Sequence, residues 1–186
     1  SETKMNRLME LIREEHADDS ILFFTEYKAT QSVLVQLLRE EYGSASTGFI
    51  NGDNYLFVDD RERGRLKLLS VRRDLADAFN EGRKRFLVST EAAGEGIDLQ
   101  GNCHVLIHVD MPWNPMRLHQ RVGRLNRIGQ KEQVVVYNLT NPNTIEAKIR
   151  SMLNQKIEVI MRSMTTVMEQ PEDLAQLIFD LKNVNP

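Results

Sequence analysis

Cysteine is almost absent from this chain: the single Cys103 cannot close an internal disulfide, and no grouping of cysteine and histidine has metal-ligand spacing. A reducing compartment, cytoplasmic or nuclear rather than secreted, is therefore expected, and no metal site. Long hydrophobic runs are missing too. No stretch approaches the roughly 20 apolar residues that cross a bilayer, and Ser1 to Glu15 alternates charge with apolar residues where a signal peptide would hold an unbroken apolar centre. No membrane partner is expected, and if a targeting signal exists these residues do not carry it. The chain has no internal repeat and no low-complexity tract, which sets aside solenoids and disordered linkers. Nor is it strongly charged. A net charge of -3 over 186 residues argues against indiscriminate nucleic-acid binding by the whole surface.

What is present is the balance of a soluble globular protein, 41% hydrophobic and 27% charged, in a chain long enough to bury one good core. The charge is unevenly spread. Arg61 to Arg85 holds nine bases and four acids, Arg117 to Lys131 five bases and no acid, and the first twenty residues six acids against three bases. Short apolar runs at Ile21 to Thr25, Gly48 to Ile50, Arg85 to Thr90, Val105 to Asp110 and Gln133 to Leu139 read as buried strands. Between them, helical spacing joins Met5, Leu8, Met9 and Ile12, then Val33, Leu34, Leu37 and Leu38, then Leu66, Leu69, Leu75 and Phe79. Alternating strands and helices predict an α/β fold of three layers, a central mostly parallel sheet with helices on both faces. Asn51 to Gly64 shows no clean period and reads as a charged loop or insertion. Asn143 and Glu146 resemble a capping box that opens a long helix through Met164, and Pro171 with Leu174, Leu177, Ile178 and Leu181 predicts one more short helix. The expected division is a main domain over 1–164 and a C-terminal helical extension over 165–186.

The most informative stretch is Asn114 to Gly129, NPMRLHQRVGRLNRIG. Asn114 can cap a helix, Pro115 suits its first turn and Gly129 its stop. Leu118, Val122 and Leu125 form an apolar stripe, while Arg117, Arg121, Arg124 and Arg127 follow at spacings of four, three and three, which predicts a shared arginine face. Gly123 in the middle costs such a helix about 1 kcal/mol relative to alanine. Four guanidinium groups without an acid repel one another, so a dense anion is the natural neutraliser. The planar fork of arginine matches phosphate oxygens and stabilises a phosphoryl group in transfer. The plain alternative is a solvated basic helix face.

Gln120 to Arg127, read as Q-R-x-G-R-x-x-R, resembles the last motif of superfamily 2 helicases and translocases, and the flanking Trp113-Asn114-Pro115 and Ile128-Gly129-Gln130 resemble the Swi/Snf-like group. Other segments fall in the family's order. Ile21 to Tyr27, ILFFTEY, resembles the strand that opens the second RecA-like lobe, and Val88 to Gln100, VSTEAAGEGIDLQ, resembles the fifth motif. The likeness spans roughly Lys4 to Ile160. It implies a RecA-like lobe in which Arg124 and Arg127 are arginine fingers reaching ATP on a partner lobe. By the same likeness Gln120 and Arg121 help order that interface, and Gly96 and Asp98 approach the nucleotide or its ribose. Thr25, Ser89 and Thr90 would lie along a nucleic-acid backbone together with Gly94, and Trp113 would either stack on nucleic acid or pack beside Pro112 and Pro115. Two departures stand out. After Ile50 the family has a glycine near a serine or threonine and enters a helix promptly, whereas here Gly52 leads into a charged stretch; and beyond about Met164 the tail matches no motif.

A complete motor of this kind also needs a Gly-rich loop ending in Lys-Ser/Thr to hold phosphates and an acidic motif to hold magnesium, and neither motif is found here. The resemblance therefore implies that ATP and magnesium are bound mainly by a first lobe of the same polypeptide, that nucleic acid, duplex DNA above all, is the track, and that this chain alone hydrolyses no ATP. The competing reading is a docking module for nucleic acid or protein that keeps the fold without hydrolysis; a flavodoxin-like receiver would need an acidic phosphoacceptor pocket that the motif order does not offer. His104 and His108 flank a strand rather than lining a helix, so their spacing does not make a zinc site. Cys103 reads as a small buried residue rather than a nucleophile.

Overall fold

A computed structural model of the chain describes residues 2–90, 96–111, 115–139 and 181–184, together with residues 152, 155 and 159. Helix α1 (Glu2–Glu15) leads into β1 (Ser20–Thr25), α2 (Lys28–Tyr42) and β2 (Thr47–Ile50). Strands β3 (Tyr55–Asp60) and β4 (Gly64–Leu69) follow, then α3 (Arg72–Asn80), β5 (Phe86–Thr90), β6 (Cys103–His108), α4 (Pro115–Val122), β7 (Val135–Leu139) and β8 (Leu181–Val184). Six strands form one sheet in the order β2-β5-β1-β6-β7-β8, and every neighbouring pair is parallel.

The strands are short apolar runs because both faces of the sheet are covered. Along β1, Ile21 and Phe23 face one layer with Leu8 and Ile12 of α1 and Leu34 and Leu38 of α2. Leu22 and Phe24 face the other, with Ala76 and Phe79 of α3 and Val122 at the end of α4. Since all the sheet's strands point the same way, their C-terminal ends share one edge, the usual place for ligands in open α/β sheets. In that edge Thr25 is in register with Thr90, Ile50 with Ser89, and Phe24 with His108.

Four expectations change. The stretch over 51–64 is not a loop: after a turn it builds β3, which pairs antiparallel with β4 from Tyr55↔Leu69 to Asp60↔Gly64. Leu66 and Leu69 belong to that hairpin and not to a helix, so α3 begins only at Arg72. Leu56 and Val58 are buried and Leu66 and Leu68 partly buried against the α1–α2 layer, a period of two that the interleaved charges hide. The helix that starts at Pro115 stops at Val122 instead of reaching Gly129. Beyond it the chain turns tightly, with the amides of Arg124 and Leu125 donating to the carbonyls of Arg121 and Val122. A glycine at 123 offers little to hold the helix together, and Leu125 stays fully buried in the turn that follows. Leu118, Val122 and Leu125 are all buried, as their spacing predicts. Leu181, expected in a helix, lies in β8 beside Val136 of β7, while the remainder of the expected extension and the long helix from Asn143 fall almost wholly outside the described residues.

Candidate functional site

The four arginines do not share a face. Arg117 is exposed on α4, whereas Arg121 is turned inward, 4% exposed, with its guanidinium 5.0 Å from the ring centre of Phe24. Arg124 and Arg127 stand on the turns after the helix, half-buried and exposed respectively, and Gln120 is exposed at the end of α4. The four differ in burial along the segment and do not form the expected stripe: Arg121 is buried against Phe24, Arg124 is half-buried, and Arg117 and Arg127 are exposed.

Those turns are stitched to the segment after β5. The Leu99 amide donates to the Arg124 carbonyl at 3.2 Å. The Gln100 side-chain amide donates to the Ile128 carbonyl at 3.0 Å, and the Arg127 guanidinium pairs with the Asp98 carboxylate. Asp98 is also fixed through its backbone, its carbonyl accepting from the Asn80 side chain at 2.9 Å. Gly96 is exposed with φ +80°, a conformation that strains other residues, and no atom of the described residues lies within 4 Å of where a Cβ would stand. The fold thereby brings together four of the expected nucleotide-facing residues, Gly96, Asp98, Arg124 and Arg127, although they lie about thirty positions apart. Two of them, expected to act separately, hold each other.

The expected nucleic-acid hydroxyls are turned inward instead. Thr25 is fully buried, its hydroxyl donating to the Asp110 carboxylate, whose other oxygen accepts from the Glu26 amide at 2.8 Å. Ser89 donates to the Thr90 carbonyl at 3.1 Å, and Thr90 is itself buried. These residues shape the sheet edge from within, Thr25 through Asp110 and Ser89 through the main chain at Thr90. Gly94 and Trp113 lie outside the described residues.

Several polar residues carry no motif signal, yet organise this edge. Gln31 of α2 is fully buried: its side-chain amide donates to the carbonyls of Ile50 and Val88 and its oxygen accepts from Asn51. Asp59 and Asp60 end an apolar strand, but that strand lies in the hairpin outside the central sheet. Asp60 there accepts from the amides of Arg63 at 2.8 Å and Glu62 at 2.9 Å, which hold its carboxyl below the ordinary range. Burial pushes the Cys103 thiol up to about 12, so it stays protonated and unreactive at neutral pH. Arg85, one of the nine bases of its stretch, is spent on structure, donating to the carbonyls of His16 and Asp19.

His108 is fully buried at the same edge, stacked on Phe24 and in register with Asn138 of β7. Burial holds its pKa well below the usual histidine value; the nearby Arg121 guanidinium pushes the same way and Asn138 opposes. The folded chain therefore keeps the ring neutral while the unfolded chain protonates it near pH 6.5. Below that pH the unfolded state binds more protons, so the contribution is intact above 6.5 and is lost as pH falls, at up to about 1.4 kcal/mol per pH unit until the folded pKa is reached. Urea denaturation at pH 7.5 and 5.5 measures this slope, and His108→Phe is expected to flatten it; equal slopes in the two proteins would show that His108 does not drive it.

The model of the helicase conserved C-terminal domain family matches residues 3–129. An uncharacterized ATP-dependent helicase of Bacillus subtilis, YqhH, is 36% identical over 157 residues, which are 84% of this chain and 25% of that protein. The DNA repair and recombination protein RAD54 of Saccharomyces cerevisiae is 29% identical over 176 residues, 93% of this chain and 17% of that protein. The chain thus spans a quarter or less of these relatives' length. In fold it is similar to the crystal structure of the C-terminal part of the Fun30 ATPase domain, with a TM-score of 0.65 at 22% identity, over 81% of this chain and 44% of that one. With a parallel six-stranded sheet and helices on both faces, the chain belongs to the helicase conserved C-terminal domain family, as a RecA-like lobe of the Swi/Snf-like group.

Proposed function

We propose that this chain is the second motor lobe of an ATP-dependent nucleic-acid translocase, and that Arg124 and Arg127 complete an ATPase site whose nucleotide is held by a first lobe of the same polypeptide. The observation that carries the reading is the stitching of 96–100 to 124–128, in which the Arg127 guanidinium meets Asp98 and the Arg124 backbone meets Leu99, close in sequence to the exposed glycine at 96. This donor set suits the outer side of a polyphosphate: forked cations, an exposed main chain and a carboxylate able to meet a ribose hydroxyl. The magnesium ligands are assigned to the first lobe, because the acidic motif that would hold the ion does not occur in this sequence.

ATP, when bound, supplies the phosphoryl group whose transfer to water drives the motor. In that step Arg124 and Arg127 meet the negative charge that builds on the phosphoryl oxygens, an interaction stronger in the transition state than before it. Gln120 and Arg121 set the turn from which both project. Asp98 holds Arg127 beside Gly96 until the nucleotide competes for it. Cleft closure and opening then move the lobe along nucleic acid, and the track is duplex DNA.

The test is steady-state ATP turnover. The chain alone is expected to give none, and the chain joined to its first lobe is expected to give turnover stimulated by duplex DNA. Hydrolysis by the isolated chain that survives Arg124→Ala overturns the assignment, and a joined protein that binds but never hydrolyses is a docking module instead.

A further inference from the structure

The hairpin that replaces the expected loop has two unlike faces. Leu56 and Val58 enter the core, and between them Tyr55, Phe57 and Asp59 stand on the opposite face, paired across to Leu69, Lys67 and Arg65. That outer face is built from cations laid on aromatic rings. The Arg65 guanidinium lies 4.4 Å from the Phe57 ring centre. Lys67 and Lys28 place their ammonium groups 4.6 Å and 4.1 Å from that of Tyr55. Phe57 remains 39% exposed and Leu69 76%.

We propose that this face docks the sugar-phosphate backbone of a nucleic-acid duplex. Three features carry the assignment. First, the cations are pre-set: ring contacts fix otherwise flexible stems, and two like charges share one ring, an arrangement that an incoming anion relieves. Lys28 has Asp53 as an ion-pair partner and Asp59 stands across from Arg65, but neither Arg65 nor Lys67 forms an ion pair among the described residues. Second, Arg65 and Lys67 alternate on one strand, about 7 Å apart, comparable with the step between adjacent phosphates along a nucleic-acid strand. Because the rings already carry cations, the face suits phosphates better than unpaired bases, which need an open aromatic surface to stack on.

Third, the hairpin is held rigidly at the right edge. Asn51, directly after β2, donates to the Tyr55 carbonyl and accepts from the Asp53 amide. Ser32 of α2 donates to the Phe57 carbonyl, and the Ser70 amide donates to the Asn54 carbonyl to close the base. The surface therefore rises from the same C-terminal sheet edge as Thr25, Thr90 and the Gly96 segment. It is a second, sequence-independent grip on the track, placed where the family pattern enters a helix promptly.

The choice of nucleic acid as the anion rests on the motor reading, and the two can fail separately. Binding of the 186-residue chain to a fluorescent DNA duplex is measured by anisotropy over a range of salt, with poly-glutamate as the competing anion. The double variant Arg65→Gln/Lys67→Gln is expected to bind at least about tenfold more weakly and to lower the salt slope by about two, one for each phosphate no longer neutralised. The charge-preserving Arg65→Lys/Lys67→Arg should bind as wild type does. Removing two exposed charges elsewhere, with Arg13→Gln/Arg83→Gln, should leave the slope unchanged. Equal affinity and slope in wild type and Arg65→Gln/Lys67→Gln overturns the proposal, as does no duplex binding at all or tighter binding to poly-glutamate. If the hairpin variants bind normally while the joined protein still turns over ATP, only the hairpin assignment is lost; if the joined protein never turns over ATP, the motor reading is lost whatever the hairpin does.

Discussion

Arg124→Ala, made in this chain joined to the lobe that holds the nucleotide, is expected to lower the ATP turnover number by about 10³- to 10⁵-fold. Nucleotide affinity should change far less, because a finger acts on charge that develops only in the transition state. The hydrogen bond that the Arg124 carbonyl accepts from the Leu99 amide is untouched by side-chain truncation, and the melting temperature of the variant is the control for the fold. Arg127 begins in an ion pair with Asp98, which does not bar it from the same work. With the side chains 40% and 61% exposed, such a pair is worth at most about 1 kcal/mol, and a triphosphate can displace the carboxylate. A decrease below tenfold in Arg124→Ala, with unchanged melting temperature, would remove Arg124 from the catalytic role and leave the lobe as a binding surface.

The strands of the central sheet were legible because a parallel sheet covered on both faces leaves no room for polar alternation. Ile21 to Thr25 and Val105 to Asp110 could be read as short apolar runs without knowing their neighbours, and the strands found there are Ser20–Thr25 and Cys103–His108. The motif residues around Gly96 and Arg124 were legible by resemblance, and the fold unites them. The hairpin was obscured because Leu66 and Leu69 fit a helical spacing as well as Leu66 and Leu68 fit a strand, and only pairing with β3 decides between the two. The early end of α4 was hidden in a similar way. Gly123 was visible as a weak point, but the bond that the turn makes with a distant segment, from the Leu99 amide to the Arg124 carbonyl, is a tertiary feature that no local pattern specifies. The hydroxyls of Thr25 and Ser89 were assigned outward from their place in a motif, while their inward orientation depends on Asp110 and on flanking strands that no local pattern specifies.

Gln31→Leu is expected to destabilise the chain by about 3 kcal/mol, since each buried polar group left without its partner costs about 1–3 kcal/mol. Gln31 is hidden by its residue type and not by its position: it falls on the same helical stripe as Leu34, Val35 and Leu38, but a glutamine there carries no apolar signal, and it is fully buried. Its side-chain amide donates to the Ile50 carbonyl at 3.0 Å and to the Val88 carbonyl at 2.9 Å, bridging the ends of β2 and β5. Its oxygen holds Asn51 at 3.0 Å, and Asn51 in turn holds the Tyr55 carbonyl that starts the hairpin. Leucine fills most of the space but satisfies none of these groups. Glutamate fits the shape and should be worse, because a carboxylate has no donor for two carbonyls that would then face its charge. The melting temperature should therefore fall in the order wild type, Gln31→Leu, Gln31→Glu, with the first step about 10 °C for a domain of this size. Hydrogen exchange should rise first at the hairpin base near Tyr55 and at the end of β5, before it rises in α1, because those are the pieces the amide joins. If Gln31→Leu melts within about 2 °C of wild type, the bridge is incidental, and the rigidity that the hairpin grip requires must come from Ser32 and Ser70 instead.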